Sequence, residues 1–153
     1  MRVGLGFDLH RFAKGRKLIL AGVEVPFEKG LSGNSDADII LHSIADAILG
    51  ALGKGDIGDY FPDKSLDSLG LSSRKIIDEV LTLLKSSGSS IVNLDITVIL
   101  DTPRLLPYKP AFKQSLSQIL NLPPGKINIK VKSQEGIWQP EEFAVCMCVV
   151  GIE

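Results

Sequence analysis

The run Phe143-Ala-Val-Cys-Met-Cys-Val-Val150 is apolar at both parities, and so is the whole stretch Val145–Ile152. Successive side chains of a strand face opposite sides of its sheet. A strand of this composition therefore needs cover on both faces, which excludes a sheet with one side open to water. Helices can supply one cover. A symmetric oligomer with its sheets packed inward supplies the other. Cys146 and Cys148 lie in this strand as Cys-x-Cys, either a metal pair or two buried reduced thiols. With no other thiol in the chain the buried pair is the better reading.

The N-terminal strand, 2–9, alternates differently. Val3, Leu5, Phe7 and Leu9 share one face, predicted to enter the core, while Arg2, Gly4, Gly6, Asp8 and His10 share the other. Glycine inside a strand marks close approach of a backbone or a ligand. Asp8 and His10 then stand as neighbouring ligand-type side chains. The only other histidine, His42, sits in the helical run Asp38-Ile-Ile-Leu-His-Ser-Ile-Ala-Asp46. Together they predict an Asp-His-His metal centre. Three protein ligands leave a tetrahedral zinc one open position, the catalytic rather than the structural arrangement. The competing reading is a strand end with two exposed polar residues.

At 153 residues the chain predicts a single catalytic domain over 1–153 with a sizeable core. Its 17 basic and 18 acidic residues nearly cancel, giving no electrostatic case for nucleic acid or an anionic membrane. No apolar run reaches the ~20 residues of a membrane span, and the first residues resemble neither a signal nor a transit segment, so a cytoplasmic protein is expected. A hairpin is predicted around Gly22, a Gly/Ser-rich loop at 30–36, and a helix from Asp38 to Leu52. A glycine-punctuated loop at 53–71 precedes a serine-capped helix at 73–86. Ile91–Leu100 alternates as a strand, Pro110 starts a helix to about Leu120, and strands at 126–133 and 143–151 follow. The expected class is α/β in the two-layer α+β sense, a mixed β-sheet with helices on one face.

Four further segments carry polar groups in suggestive places. Ser32-Gly-Asn-Ser-Asp-Ala-Asp38 is either an anion cradle at a helix N-terminus or a plain capping turn. Asp56-Ile-Gly-Asp-Tyr-Phe-Pro-Asp63 crowds three carboxylates into an irregular loop, as a solvated turn or as acceptors for polyol hydroxyls. Asp101-Thr-Pro-Arg-Leu-Leu-Pro107 follows a strand end, where ligands of α/β domains collect, or is a rigid connection. Glu135 is a ligand for a hard cation or a solvent-facing glutamate.

The chain resembles the 2-C-methyl-D-erythritol 2,4-cyclodiphosphate synthase family of the non-mevalonate isoprenoid pathway. The resemblance rests on Gly4-x-Gly-Phe-Asp-x-His10, Ser35-Asp-x-Asp38, His42 with Asp46, and Gly55-Asp-Ile-Gly58 running into Phe61-Pro-Asp63. It continues through Pro103-Arg-Leu-Leu-Pro107 and Ile129-Lys-Val-Lys-Ser-x-Glu135. Blocks in this order and at these separations are far more specific than any one of them.

The resemblance implies a homotrimer with an active site at each subunit interface. It implies an enzyme, a phosphorus–oxygen lyase, acting on 4-diphosphocytidyl-2-C-methyl-D-erythritol 2-phosphate. The 2-phosphate attacks the β-phosphorus, closes the cyclic diphosphate and expels CMP. Asp8, His10 and His42 would bind a zinc-type cation (Zn or Mn) whose fourth ligand is a phosphate oxygen, and Glu135 would help hold Mg or Mn on the diphosphate. Asn34 and Ser133 would stabilise the transition state, with Ser35 beside them. Asp56, Ile57, Gly58, Phe61, Pro62 and Asp63 would surround the erythritol unit. Leu100, Asp101, Thr102, Pro103, Arg104, Leu105 and Leu106, with Lys132, Ser133, Gln134 and Glu135, would form a neighbouring subunit's cytidine and phosphate pocket. Asp46, one turn beyond His42, would orient ligands or merely keep the helix soluble.

Three departures from the family pattern stand out. Asn34 replaces a usual histidine and can donate a hydrogen bond but not become cationic. Lys132 and Ser133 replace two threonines. Gly136-Ile-Trp-Gln-Pro-Glu-Glu142 replaces a glycine-rich stretch whose arginine, in many relatives, guards a central cavity for isoprenoid diphosphates, so that ligand is not expected here. Trp138 would cover part of the pocket or pack at the interface. Two rival functions are a metal-dependent nucleotide phosphodiesterase and a non-catalytic trimer that binds metal or cytidine nucleotide.

Overall fold

The structure is a computed structural model and describes residues 1–62, 70–137 and 143–153. Its main sheet has five strands, β1 (Arg2–Lys14), β4 (Lys29–Leu31), β5 (Ile91–Ile99), β6 (Ile127–Lys132) and β7 (Phe143–Ile152), in the order β4-β1-β7-β5-β6. β5 and β6 run parallel and the other neighbours antiparallel, so the sheet is mixed. The apolar C-terminal strand, β7, is its middle strand. A separate hairpin joins β2 (Leu18–Leu20) to β3 (Val23–Val25). Ala21 and Gly22 between them both have positive φ (54° and 73°), the two-residue turn geometry that follows strand twist.

Helices α1 (Ile39–Leu52), α3 (Ser73–Ser86) and α4 (Lys109–Leu120) cover one face, joined by a short helix α2 (Ile57–Tyr60). Asp38 caps α1 and Ser72 caps α3. α1 is buried nearly all round, lodged between the sheet and α3. On its sheet side it meets Gly4 and Gly6, where a Cβ would overlap the carbonyl oxygens of Ala47 and Ser43. Those two glycines set the closeness of the layers. The helix-facing row of β7, Ala144, Cys146, Cys148 and Val150, is buried, and both cysteines are free thiols. Burial raises both thiols, Cys148 to about 12, which keeps them inert.

The structure departs from the sequence reading in two places. Val3, Leu5, Phe7 and Leu9 do not enter the core: they are 63%, 65%, 50% and 53% exposed. The helix layer lies against the glycine side, since only that side admits a backbone so closely, and the bulky side is left outward. Leu5 pairs there with Val149, and Phe7 with Met147, so the outer face is an apolar strip along β1 and β7. The second departure is at 53–71, where α2 interrupts the expected loop. Asp56 accepts from the Gly58 amide, and Asp59 reaches back to the Asp56 amide, a reciprocal cap.

Candidate metal centre and cavity

The site is assembled by the packing of α1 on β1. Alternation puts Asp8 and His10 on the helix-facing side of β1, just beyond Gly6, and α1 delivers His42 from above. Asp8 Oδ2 lies 2.9 Å from His42 Nδ1 and 3.3 Å from His10 Nε2. The donor atoms of the three residues all lie within 4.8 Å of one another, the one such cluster among the described residues. A tetrahedral ion about 2.0–2.1 Å from each ligand holds its ligands roughly 3.3 Å apart. The donor set and these two separations therefore fit a zinc-type cation.

Electrostatics point the same way. Burial opposes ionisation of Asp8, but hydrogen bonds and charge from both imidazoles more than offset it, holding the carboxyl well below the usual range. Burial disfavours charge on His42, yet the Asp8 bond and nearby carboxylates raise it above the ordinary imidazole value. The charged forms of Asp8 and His42 thus favour each other, and a bound cation would take the place of the His42 proton beside the carboxylate.

Surrounding contacts fix the site's walls. Arg16 donates to the carbonyls of Gly33 and Ser35, bracketing Asn34. Gly33 packs against the His10 ring, with no room to spare for a side chain. Buried Asp38, the last residue of the 32–38 segment, caps the amides that open α1. Its carboxylate accepts from Ile40 and Leu41 of α1 and from Ala21 and Gly22 of the hairpin. Burial pushes Asp38 up to about 6, against the Gly22, Leu41 and Ala21 amides and with Asp36 adding to the rise. Asp46 is within electrostatic reach of Asp8 and His42, and its Oδ1 accepts from the Ile57 amide at 2.8 Å, which pins the start of α2.

Above the triad lies a cavity of about 570 Å³. It gathers Asp8, His10, Asn34, Ser35, His42, Ile57, Gly58, Phe61 and Pro62, together with Leu71 and Ile76, which the sequence reading missed. Those two look like ordinary core positions of a helix start, so no local signal marks them. Asp56 does not line the cavity and its side chain is engaged as a cap. Asp63 and Trp138 lie outside the described residues.

A second cluster forms at the ends of β5 and β6. Asp101 accepts from the Gln134 amide, Leu100 donates to Lys132, and the Ser133 hydroxyl donates to Glu135. Thr102–Pro103 is a cis peptide. Leu100, Leu105 and Gln134 are buried. Arg104, Leu106, Lys132, Ser133 and Glu135 are exposed. β7 and β5 stand between β1 and β6, so the two clusters are on the order of 14 Å apart. One protomer does not bring them together.

Residues 1–153 match the YgbB family. The chain belongs to that family. Its relatives include 2-C-methyl-D-erythritol 2,4-cyclodiphosphate synthases of Pelobacter propionicus, 45% identical over 90% of this chain and 87% of that protein, and of Caldicellulosiruptor bescii, 48% identical over 89% and 87%. The fold is similar to that of a 2-C-methyl-D-erythritol 2,4-cyclodiphosphate synthase solved with CDP bound, at TM-score 0.92 and 34% identity, covering 99% of this chain and all of the other. A Plasmodium falciparum family structure, a CDP complex, aligns at TM-score 0.85 and 29% identity over 99% and 94%. Family members are thus alike over essentially the whole two-layer fold.

Proposed function

We infer that this chain is a 2-C-methyl-D-erythritol 2,4-cyclodiphosphate synthase, acting as a single catalytic domain. The observation that carries this is the Asp8-His10-His42 cluster at the floor of a cavity whose remaining wall is largely apolar. The reaction joins the 2-phosphate of 4-diphosphocytidyl-2-C-methyl-D-erythritol 2-phosphate to the β-phosphorus. The bond to the α-phosphate breaks and CMP leaves. Two anionic phosphates must approach, so charge neutralisation and alignment dominate over acid–base chemistry.

Asp8, His10 and His42 hold one divalent cation (Zn or Mn), and Glu135 assists a second (Mg or Mn). When bound, these ions draw charge from the attacked phosphorus and steady the departing oxygen. Asn34 and Ser35, held by Arg16, aim donors at phosphate oxygens. Ile57, Phe61, Pro62, Leu71 and Ile76 exclude water and seat the carbon skeleton of the erythritol unit. Gly58 admits it closely.

The second cluster, residues 100–106 with Lys132, Ser133, Gln134 and Glu135, serves the cavity of a neighbouring subunit. It orders the cytidine and phosphates, and Ser133 donates to the transition state. A homotrimer with the exposed strip of β1 and β7 turned inward brings the clusters together and covers Val3, Leu5, Phe7 and Leu9 at once. No helix among the described residues is long and apolar enough to cross a membrane. Two free thiols buried in the core support a cytoplasmic setting.

Incubation with the cytidyl substrate, magnesium and zinc, followed by phosphorus NMR, tests the assignment. Cyclic diphosphate and CMP in equal amounts are expected. An acyclic phosphate product would mark a hydrolase, and binding without turnover a non-catalytic relative; either would refute the synthase.

A further inference from the structure

Ser73, the first residue of α3, has no exposed surface. Its hydroxyl lies 2.8 Å from Nε2 of His42 and donates to Asp36 Oδ1. The Ser73 amide also donates to the Asp36 carboxylate, at 3.1 and 3.2 Å. A hydroxyl has a single proton. With that proton on Asp36, only oxygen lone pairs face the imidazole, so Nε2 must carry the hydrogen of the Ser73 contact. Nδ1, the nitrogen 2.9 Å from Asp8 Oδ2, is then the one whose lone pair can serve a cation.

We propose that Asp36 and Ser73 are positioning residues that lock His42 in the ring orientation and tautomer needed to bind a divalent cation through Nδ1. The proposal rests on the metal-centre reading given above. It is an instance of the common arrangement in which a ligand histidine gives its other N–H to an oxygen partner backed by a carboxylate. Here a serine hydroxyl is interposed. The lock also has a local competitor. Ser35 Oγ lies 3.3 Å from the same Nε2 and accepts from the Ala37 amide. Its proton can still turn toward Nε2, which would favour hydrogen on Nδ1 and so oppose metal. Ser73 and Asp36 hold the balance the other way.

The bland account is that Asp36 and Ser73 only start α3. Ser73→Ala separates the two, because the backbone N–H stays and continues to cap onto Asp36. Zinc and cobalt affinities of the metal-free protein, measured by competition with a chromophoric chelator, give the readout. Unfolding of the metal-free protein and the cobalt ligand-field spectrum are followed alongside. Ser73→Ala should weaken both metals by about ten-fold, keep one ion per chain and alter the cobalt bands, without lowering the metal-free Tm. Asp36→Asn gives a second route to the same loss, since its amide can donate to Ser73 and turn that proton onto Nε2. Wild-type affinity in both variants would overturn the proposal. Failure of the wild type itself to bind, or full binding by His42→Ala, would instead overturn the metal centre beneath it.

Discussion

His42 is the side chain on which the site turns, because it is buried on a helix yet meets three partners: Asp8, Ser35 and Ser73. Its raised folded value means the bond to Asp8 stabilises the metal-free protein fully below the unfolded imidazole value of ~6.5. That stabilisation fades as pH rises through the folded value. Asp8 is depressed, so its share is present above ~4 and is lost on acidification. Metal must displace the His42 proton. The log of the zinc dissociation constant should therefore fall with pH, by up to one unit per pH unit, and level off above the folded value of His42. A flat profile in competition titrations from pH 5 to 9 would contradict this. His42→Ala should weaken zinc by more than the roughly 10–100-fold that losing an outer partner costs, and abolish cyclisation. All three members of the Asp8-His10-His42 cluster were readable in sequence because strand alternation and the count of two histidines left few options. Ser73 was not, since only packing brings α3 onto α1.

Helix α1 is where local sequence and tertiary geometry meet. Its cap, Asp38, ties it to the β2–β3 hairpin, and Ser43 ties it to the Cys146 carbonyl. Gly6 then lets it lie directly on β1. Gly6→Ala should cost about 1–3 kcal/mol or more, the range for overpacking, and lower zinc affinity because α1 carries His42. Gly125→Ala is the control: a Cβ there meets nothing, so a change within about 0.5 kcal/mol is expected. Urea unfolding of both variants checks the contrast. α2 makes the complementary case. Asp46→Ala frees the Ile57 amide and the cavity wall that follows it. KM should rise about ten-fold, the weight of one hydrogen bond to a charged group, while zinc affinity holds. The alternation of 91–100 and the caps at 38 and 72 were legible because they are short-range. The cap within 56–59 was not legible: the run reads equally as a solvated turn or as acceptors for a ligand, since a capping carboxylate and a binding carboxylate look alike in sequence.

A lone protomer leaves Val3, Leu5, Phe7 and Leu9 on one strip beside Val149, an arrangement that marks an association surface. Phe7→Glu places a charge in that strip and should convert an assembly of three 16.5 kDa chains into monomers, as light scattering would report. Zinc binding should survive in the monomer, because one chain supplies Asp8, His10 and His42. Turnover should not, because within a chain β7 and β5 stand between the triad on β1 and the Ser133 and Glu135 that follow β6. Persistence of turnover in a verified monomer would refute the shared site.

Sequence alone determined the class of fold, the order of nearly all its elements, the three residues of the candidate cation cluster and the need for cover on both faces of the last strand. Each follows from periodicity or residue chemistry, which act within a few residues. Tertiary structure decided which face of β1 turns inward. The alternation offered an apolar face as the obvious core, but the glycine face alone admits a helix backbone so closely, so the bulky residues were turned outward. It also decided that Asp38 joins the start of α1 to the β2–β3 hairpin, that Asp46 holds α2, and that Ser73 and Asp36 stand behind His42. Those outcomes depend on contacts between segments far apart in the chain, and pattern within one segment carries no record of its neighbour.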